Sequence, residues 1–307
     1  MEMIINIWDS NVSHCSNIKE AGLRCGVRNN VKKIEFEQNV KWVHKEKNFT
    51  NTTKNGITVF TDNFLTNNLI NSIYSDFKIG LIFEPIDYSP QPYNDVLSVE
   101  DSLDLIFTFN ENLLKKNPKK YKYFPADWVC IEKESHGLNE KNKLVSMVYS
   151  SKGGLDRNLR KEVANRLNNK IDLFGSGTIK GQLDAKSDSL VPYMYSISIE
   201  NSISENYYTE KILDCFITGN IPIYRGCPNI SDFFDSRGII EFNDITNVDN
   251  IINNISIELY MEMLPYIKIN HEISKKYINP DDTLLTLINM CFENPNYNTK
   301  EYFKYVK

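Results

Sequence analysis

Short apolar runs alternate with polar or mixed stretches along the whole chain, and this alternation predicts strands and helices in turn. In the first half the predicted strands cover residues 4–8, 57–60, 78–83 and 105–108, and a helical or mixed stretch covers residues 63–73. β-Branched and aromatic residues dominate these runs, as is typical of buried strands. Strands that alternate with helices build parallel sheets, so the first half is predicted to be α/β.

The alternation is sharper in the second half. Strands are predicted at residues 144–149, 171–174, 195–199, 221–224 and 238–242. The intervening or following helices are predicted at residues 156–168, 209–218, 248–255, 258–263 and 283–292. In the helix predicted at 209–218, Ile212, Leu213 and Phe216 form one apolar stripe, and Gly219 follows as a C-terminal cap. Repeated strand–helix units predict a doubly wound sheet, which binds ligands at the carboxyl ends of its strands.

A polar, charged segment at residues 131–143 separates the two halves and is predicted to be an interdomain linker. The 307 residues are enough for two domains of ordinary size. We therefore predict an N-terminal α/β domain over residues 1–135 and a C-terminal Rossmann-like domain with terminal helices over residues 136–307.

The amino-acid composition argues against several classes of protein. Hydrophobic residues make up 41% and charged residues 24%, values typical of a globular protein. The net charge is only −5 and no dense basic block occurs, which argues against nucleic-acid binding. No apolar stretch approaches the roughly 18 residues of a membrane span. The N-terminus lacks a signal-peptide pattern, so we predict a cytoplasmic location.

Acidic, amide and basic residues come together around the helix predicted at 209–218. Glu200 and Asn201 end the preceding strand, and Glu210 and Lys211 open the helix. A glutamate can accept hydrogen bonds from both vicinal hydroxyls of a ribose, and a lysine can neutralise phosphate. The alternative is an ordinary surface charge pair beside two surface tyrosines, Tyr207 among them. We favour a nucleotide-sugar site, because the groups coincide with a strand end and a helix start.

A second candidate lies in the loop over residues 150–157, where Gly153 and Gly154 precede a predicted helix and Arg157 lies at its start. Glycines let backbone approach a ligand, and a helix N-terminus with an arginine suits a diphosphate. By itself this loop is more typical of a tight turn with a solvent-exposed arginine. The Gly175-Ser176-Gly177 run lacks the third glycine of a dinucleotide fingerprint and indicates a turn.

The segment from Glu200 to Lys211 resembles the fucosyltransferases of glycosyltransferase family 10. In that family an acidic residue and Asn-Ser precede an aromatic-x-Thr-Glu-Lys helix start, as Glu200-Asn201-Ser202 and Tyr207-Tyr208-Thr209-Glu210-Lys211 do here. The loop over residues 150–157 is similar to the family's Ser-Ser, Gly-Gly and Arg loop. The resemblance implies a GT-B architecture of two Rossmann-like doubly wound domains.

The resemblance also implies roles for individual residues in binding GDP-fucose. It places Arg157 and Lys211 at the diphosphate and Glu210 at the ribose. Asn201 and Tyr207 would contact the donor, and Glu200 would lie near the sugar.

The catalytic base implied by the resemblance is Glu84, directly after the strand predicted at 78–83. Here Pro85 follows the glutamate where the family has an asparagine, and Phe83 precedes it in place of a glycine. The alternative role of Glu84 is that of a strand-end carboxylate that caps a neighbouring turn.

Together with these residues, the resemblance implies an inverting glycosyltransferase that moves fucose from GDP-fucose to a hydroxyl of an oligosaccharide, as an α-1,3-fucosyltransferase does. A transferase for another nucleotide sugar such as GDP-mannose, or a non-catalytic nucleotide- or sugar-binding module, stays open. The chain has no Asp-x-Asp motif, and its four histidines lack metal-ligand spacing. We therefore expect no cofactor and no essential metal; the oligomeric state cannot be predicted.

Overall fold

The structure, a computed structural model, describes residues 3–8, 40–44, 56–149, 157–175, 178 and 180–306. The glycines and serines of the loop predicted to cradle a diphosphate, residues 150–156, lie outside these ranges. The chain divides into two compact units. The first consists of Met1–Ala126 with Asn279–Phe303, and the second of Asp127–Ile278 with Lys304–Lys307.

The strands and helices of the described residues alternate through both units. The strands are β1 (Met3–Trp8), β2 (Val40–His44), β3 (Ile57–Thr61), β4 (Phe77–Ile82), β5 (Leu105–Thr108), β6 (Tyr121–Tyr123), β7 (Lys143–Val148), β8 (Asp172–Phe174), β9 (Tyr193–Ile199), β10 (Ile221–Arg225) and β11 (Ile240–Glu241). The helices are α1 (Asn67–Ser72), α2 (Gln91–Val99), α3 (Glu111–Lys116), α4 (Arg157–Leu167), α5 (Glu210–Ile217), α6 (Ile245–Asn254), α7 (Ile257–Ser274), α8 (Pro280–Glu293) and α9 (Lys300–Phe303).

The first unit is built on a six-stranded parallel sheet in the order β2-β1-β3-β4-β5-β6. Apolar side chains from neighbouring strands, such as Phe60, Ile82 and Ile106, pack with those of α1 and α2 into one core. Local sequence also sets the helix ends, since Asn110 caps α3 by accepting a hydrogen bond from the Leu113 amide at 3.1 Å. β4 lies inside the sheet, so its carboxyl end opens at the sheet edge where ligands bind in such folds.

The second unit contains a five-stranded parallel sheet in the order β11-β10-β9-β7-β8. Its central strand, β9, is buried along its whole length. Pro222 suggests an edge strand or a kink, yet β10 pairs on both sides. The ladder to β11 involves only Ile223 and Tyr224, so the missing N–H of Pro222 costs no bond there.

The two parallel sheets confirm the predicted α/β class with two Rossmann-like units. The observed division differs from the predicted boundary between residues 135 and 136, since it falls after Ala126 and α8 belongs to the first unit. Within the described ranges, no helix has the length and apolar character needed to cross a bilayer.

The segment predicted to be a linker, residues 131–143, is instead part of the second unit. Its polar groups bond to the body of that unit. The amide of Gly137 donates to the Ile217 carbonyl at 2.9 Å, and Lys141 Nζ donates to the Thr218 carbonyl at 2.7 Å. Hydrogen bonds to backbone carbonyls attach this segment, which is poor in apolar residues, to the second unit. Such hydrogen bonds cannot be predicted from composition.

Gly175 occupies a position that no other residue fits. It follows β8 with a φ of +121°, and a Cβ there would lie 1.9 Å from the Tyr149 carbonyl oxygen. Its amide donates to the Gly181 carbonyl at 2.7 Å, as expected for the predicted turn. Gly181 also has a positive φ, +71°, but a Cβ added there would meet none of the described atoms within 4 Å.

We predict that Gly175→Ala lowers the free energy of unfolding by about 3 kcal/mol, because it adds a backbone clash to an unfavourable φ. Gly181→Ala is the matched control, and its strain alone is expected to cost about 1 kcal/mol. Urea denaturation followed by circular dichroism measures both. Equal losses of unfolding free energy in the two variants would show that the clash with the Tyr149 carbonyl does not contribute to the effect.

Candidate functional site

The candidate site lies at the carboxyl ends of β9 and β10 in the second unit. Glu200 directly follows β9, and its amide donates to the Arg225 carbonyl at the end of β10 at 2.9 Å. The chain then loops to Thr209, the N-cap of α5, whose hydroxyl accepts from the Lys211 amide at 3.4 Å. A parallel sheet therefore brings a strand end and a helix start to one edge, as the sequence predicts.

The Glu200 carboxylate joins the end of β9 to the start of α5. It is fully buried and accepts hydrogen bonds from the Thr209 amide at 2.9 Å and the Thr209 hydroxyl at 2.6 Å. Burial raises the pKa of Glu200, although the Lys211 ammonium, 3.5 Å away, opposes the rise. With both oxygens occupied by Thr209, Glu200 positions the helix start; a contact with the sugar stays a prediction.

Glu210 and Lys211 form the partly exposed pair of the site. Their side chains are 21% and 23% exposed, and Lys211 Nζ lies 3.2 Å from Glu210 Oε1. Burial would raise the pKa of Glu210, but the ammonium groups of Lys211 and Lys186 outweigh it and hold that pKa well below its ordinary value. Glu210 is thus an ionised acceptor, the form that suits two ribose hydroxyls.

Sequence reasoning missed a second charge pair next to Glu210, in which only Asp214 is fully buried. Lys186, in the short 3-10 helix Lys186–Ser189, lies 2.6 Å from Asp214 Oδ2 and 3.8 Å from Glu210 Oε1. Asp214 also accepts from the Cys130 amide at 2.7 Å. Burial raises the pKa of Asp214 to about 6 against the opposing effect of Lys186. Asp214 lies one helical turn after Glu210, so the sequence pattern could have indicated that it belongs to the site. No sequence pattern indicated Lys186.

Asn201 lies beside the site and is held by an arginine that was not predicted. Arg160 Nη2 donates to the Glu200 carbonyl at 3.2 Å and also to Asn201 Oδ1. The predicted diphosphate ligand Arg157 begins α4, one turn earlier, but its side chain lies outside the described atoms. The structure therefore brings Glu200, Asn201, Glu210 and Lys211 together and leaves the role of Arg157 a prediction.

The two tyrosines before Thr209 are buried rather than exposed. Tyr207 is 2% exposed, and Tyr208 is fully buried with its hydroxyl 2.9 Å from that of Tyr277. Tyr208 also packs against Phe233 and Phe234. The interpretation of both as surface tyrosines is therefore wrong, because their rings fill a core. A contact of Tyr207 with the donor stays a prediction.

Glu84 belongs to the first unit, two residues beyond the carboxyl end of β4. Its side chain is half-buried. Two hydrogen bonds fix its backbone, since Tyr93 Oη donates to the Glu84 carbonyl at 2.9 Å and Asp62 Oδ1 accepts from the Glu84 amide at 3.4 Å. The tip of an internal parallel strand is where ligands bind in such folds, and the role of Glu84 as a catalytic base stays a prediction.

In the part of the chain that the structure describes, no group of three or more His, Cys, Asp or Glu residues could hold a metal ion. The polar groups at the edge of the second sheet are instead an ionised carboxylate, a lysine ammonium and an amide. Together they can bind a vicinal diol and an anionic group such as phosphate.

Comparison with known proteins agrees with this geometry. The sequence model of "Glycosyltransferase family 10 (fucosyltransferase) C-term" matches residues 138–271, which include all of the site in the second unit. This part of the chain is similar in sequence to the members of glycosyltransferase family 10. The resemblance seen in the sequence is thereby confirmed.

The proteins similar to the chain include two curated relatives and one solved structure. An α-(1,3)-fucosyltransferase of Helicobacter pylori is 26% identical over 60% of this chain and 38% of its own length. A putative fucosyltransferase-like protein of Arabidopsis thaliana is 29% identical over 42% of this chain and 25% of its own length. The chain thus spans well under half of these relatives.

A crystal structure of an α1,3-fucosyltransferase shares the fold with a TM-score of 0.54 at 15% identity. The alignment covers 97% of this chain and 91% of that one. This likeness supports the two-domain α/β fold of the chain.

We predict that Thr209→Val lowers the free energy of unfolding by about 2 kcal/mol, because it removes an N-cap and leaves a buried Glu200 oxygen without its donor. Thr209→Ser keeps the hydroxyl and is expected to stay within about 0.5 kcal/mol of the unmodified chain. Urea denaturation measures the difference. A valine variant as stable as the serine variant would contradict the structural role of the Glu200–Thr209 bond.

Proposed function

We propose that this protein acts as a member of glycosyltransferase family 10 and transfers fucose from GDP-fucose to a hydroxyl group of an oligosaccharide, with inversion at the anomeric carbon. The observation that carries the proposal is the Glu210–Lys211 pair at the start of α5, within the segment that matches the family. The names of the curated relatives, both fucosyltransferase-like, support fucose as the sugar. The acceptor is defined here only as a saccharide hydroxyl.

Donor binding is assigned to the second unit. Glu210 accepts hydrogen bonds from the ribose hydroxyls, and Lys211 lies against the diphosphate. Arg157, at the first position of α4, supplies a second cation that the helix N-terminus reinforces. Asn201 and Tyr207 complete the donor contacts. These cations neutralise the phosphates, so the proposed reaction needs no cofactor and no essential metal.

Catalysis is assigned to Glu84 of the first unit. The acceptor oxygen forms a bond to the anomeric carbon while its proton passes to the Glu84 carboxylate. The bond from that carbon to the β-phosphate oxygen breaks, and the electron pair leaves on GDP. Negative charge grows on the diphosphate during this step, where the Lys211 ammonium stabilises it.

The experiment that tests the function combines GDP-fucose with a panel of oligosaccharides and measures GDP release and product mass. We expect GDP release to rise at least tenfold with one acceptor, with a product heavier by one fucose. The same result with GDP-mannose alone would assign another donor. GDP binding without acceptor-dependent release would identify a non-catalytic binding module. Failure to bind any GDP-sugar would contradict the proposal. The cytoplasmic location is a separate prediction that this experiment does not test.

We predict that Glu84→Gln lowers the turnover rate by a factor of about 10² to 10⁴, because an amide cannot take the acceptor proton. GDP affinity is expected to stay within twofold of the unmodified enzyme. Steady-state kinetics and calorimetry measure the two quantities. Asp87→Asn, which removes an exposed carboxylate from the same loop, is the control and should retain activity. Full activity of the Glu84 variant would remove it from the role of base.

A further inference from the structure

Asp62 is a buried acidic residue that directly follows β3, in a backbone conformation that side chains seldom adopt. Only 3% of its surface is exposed, and its φ is +38°, in the left-handed region that favours glycine. Aspartate and asparagine enter that region more readily than other side chains do, but still at a cost. A buried charge combined with an unfavourable φ is retained only where the surroundings compensate for it.

The Asp62 side chain supplies such compensation by bonding to the tip of the neighbouring strand, β4. The two strands pair in parallel with Thr61 opposite Leu81, so their carboxyl ends lie side by side. Asp62 Oδ1 accepts a hydrogen bond from the Phe83 amide at 2.9 Å and a longer one from the Glu84 amide at 3.4 Å. One carboxylate thus caps the two backbone amides that follow β4, and the second of them belongs to the proposed base.

The carbonyl side of Glu84 is held as well. Tyr93 Oη donates to the Glu84 carbonyl at 2.9 Å. Burial, followed by the charge of neighbouring carboxylates, raises the pKa of Tyr93, so its hydroxyl keeps its proton and remains a donor. Pro85 fixes the next φ and restricts the backbone of Glu84 before it. The Tyr88 amide donates to the Pro85 carbonyl at 2.9 Å, which closes a turn.

We infer that Asp62 is a positioning residue, which fixes the backbone that carries the Glu84 carboxylate to the acceptor hydroxyl. The inference rests on the proposed function, because it takes Glu84 to be the base. With its amide and carbonyl both bonded and a proline after it, Glu84 has little backbone freedom. Such order favours catalysis, since a misplacement of about 1 Å can lower a rate about 10²-fold.

The observations favour positioning over simple capping of a strand end. Asp104 caps the opposite end of β4, where its Oδ2 accepts from the Lys78 amide at 2.7 Å. Asp104 does so while exposed, and among the described non-glycine residues only Asp62 and Asn206 have a positive φ. A cap therefore requires neither burial nor an unfavourable backbone. Both features occur at the Glu84 end of the strand, as is typical of functional sites.

The test measures acceptor-dependent GDP release by steady-state kinetics and GDP affinity by calorimetry. Asp62→Gly removes the carboxylate but still accommodates the left-handed φ. We expect it to lower the turnover rate about 10- to 100-fold and to leave GDP affinity within about twofold, because the proposed donor site lies in the second unit. Asp62→Asn keeps an acceptor oxygen and also tolerates this φ, so its turnover should stay within about threefold.

Asp104→Gly is the matched control, because it removes the cap at the other end of the same strand. Its turnover is expected to stay within about twofold of the unmodified enzyme. Thermal unfolding without substrate checks that each variant is folded. If Asp62→Gly does not fold, Tyr93→Phe replaces it. That variant keeps the ring and loses only the hydroxyl bonded to Glu84, and a loss of turnover of about fivefold is expected.

A double-mutant cycle distinguishes positioning of the base from a general effect on structure. In a Glu84→Gln background, Asp62→Gly should change the residual turnover less than about threefold, since the base that Asp62 positions is gone. A general effect on structure would instead lower the residual turnover by the same factor as in the unmodified background.

The outcomes separate the inference from the proposed function. If the unmodified protein transfers the sugar and folded Asp62→Gly, or Tyr93→Phe in its place, is equally active, the inference fails and the proposed function stands. Full additivity with Glu84→Gln, or a loss in Asp62→Asn as large as in Asp62→Gly, would also overturn it. If the unmodified protein shows no acceptor-dependent GDP release, the proposed function fails and this inference fails with it.

Discussion

The buried carboxylate of Glu200 is the group on which the geometry of the site depends. It accepts hydrogen bonds from the Thr209 amide and hydroxyl, and so ties the end of the central strand β9 to the first turn of α5. A buried ionisable group is tolerated only when it is well bonded, so this junction has little freedom. Gly226 packs against it so closely that a Cβ there would lie 2.5 Å from Glu200 Cγ. The Glu210–Lys211 pair is held in place by this junction.

A row of alternating positive and negative side chains fixes the ionisation of Glu210 and Lys211. Lys211 lies between the carboxylates of Glu200 and Glu210, and Lys186 lies between Glu210 and Asp214. Each ammonium has a carboxylate on two sides, which keeps Glu210 ionised and raises the pKa of Lys211 despite burial. A nucleotide would therefore meet an acceptor and a cation that are already ionised and oriented. Preorganisation of this kind favours binding because little rearrangement remains.

Much of the fold and part of the site could be predicted from the sequence. Runs of β-branched residues predicted most of the strands, and the apolar stripe and following glycine of α5 predicted its helix. Short elements such as β6 and α3 were missed because each has too few residues to show a clear hydrophobic periodicity. Lys186 and Arg160 were missed for another reason: they reach the site only through tertiary contacts, distant in sequence from Glu200. The polar segment 131–143 was wrongly predicted to be a linker, because hydrogen bonds to backbone carbonyls, rather than apolar contacts, attach it to the second unit.

The central claim is that the Glu210–Lys211 pair at the start of α5 binds the nucleotide. A crystal structure of the protein with GDP tests this most directly. The account predicts ribose hydroxyls within about 3 Å of the Glu210 carboxylate and a phosphate oxygen equally close to Lys211 Nζ. GDP bound elsewhere, with Glu210 and Lys211 still paired only to each other and to Glu200, would contradict it.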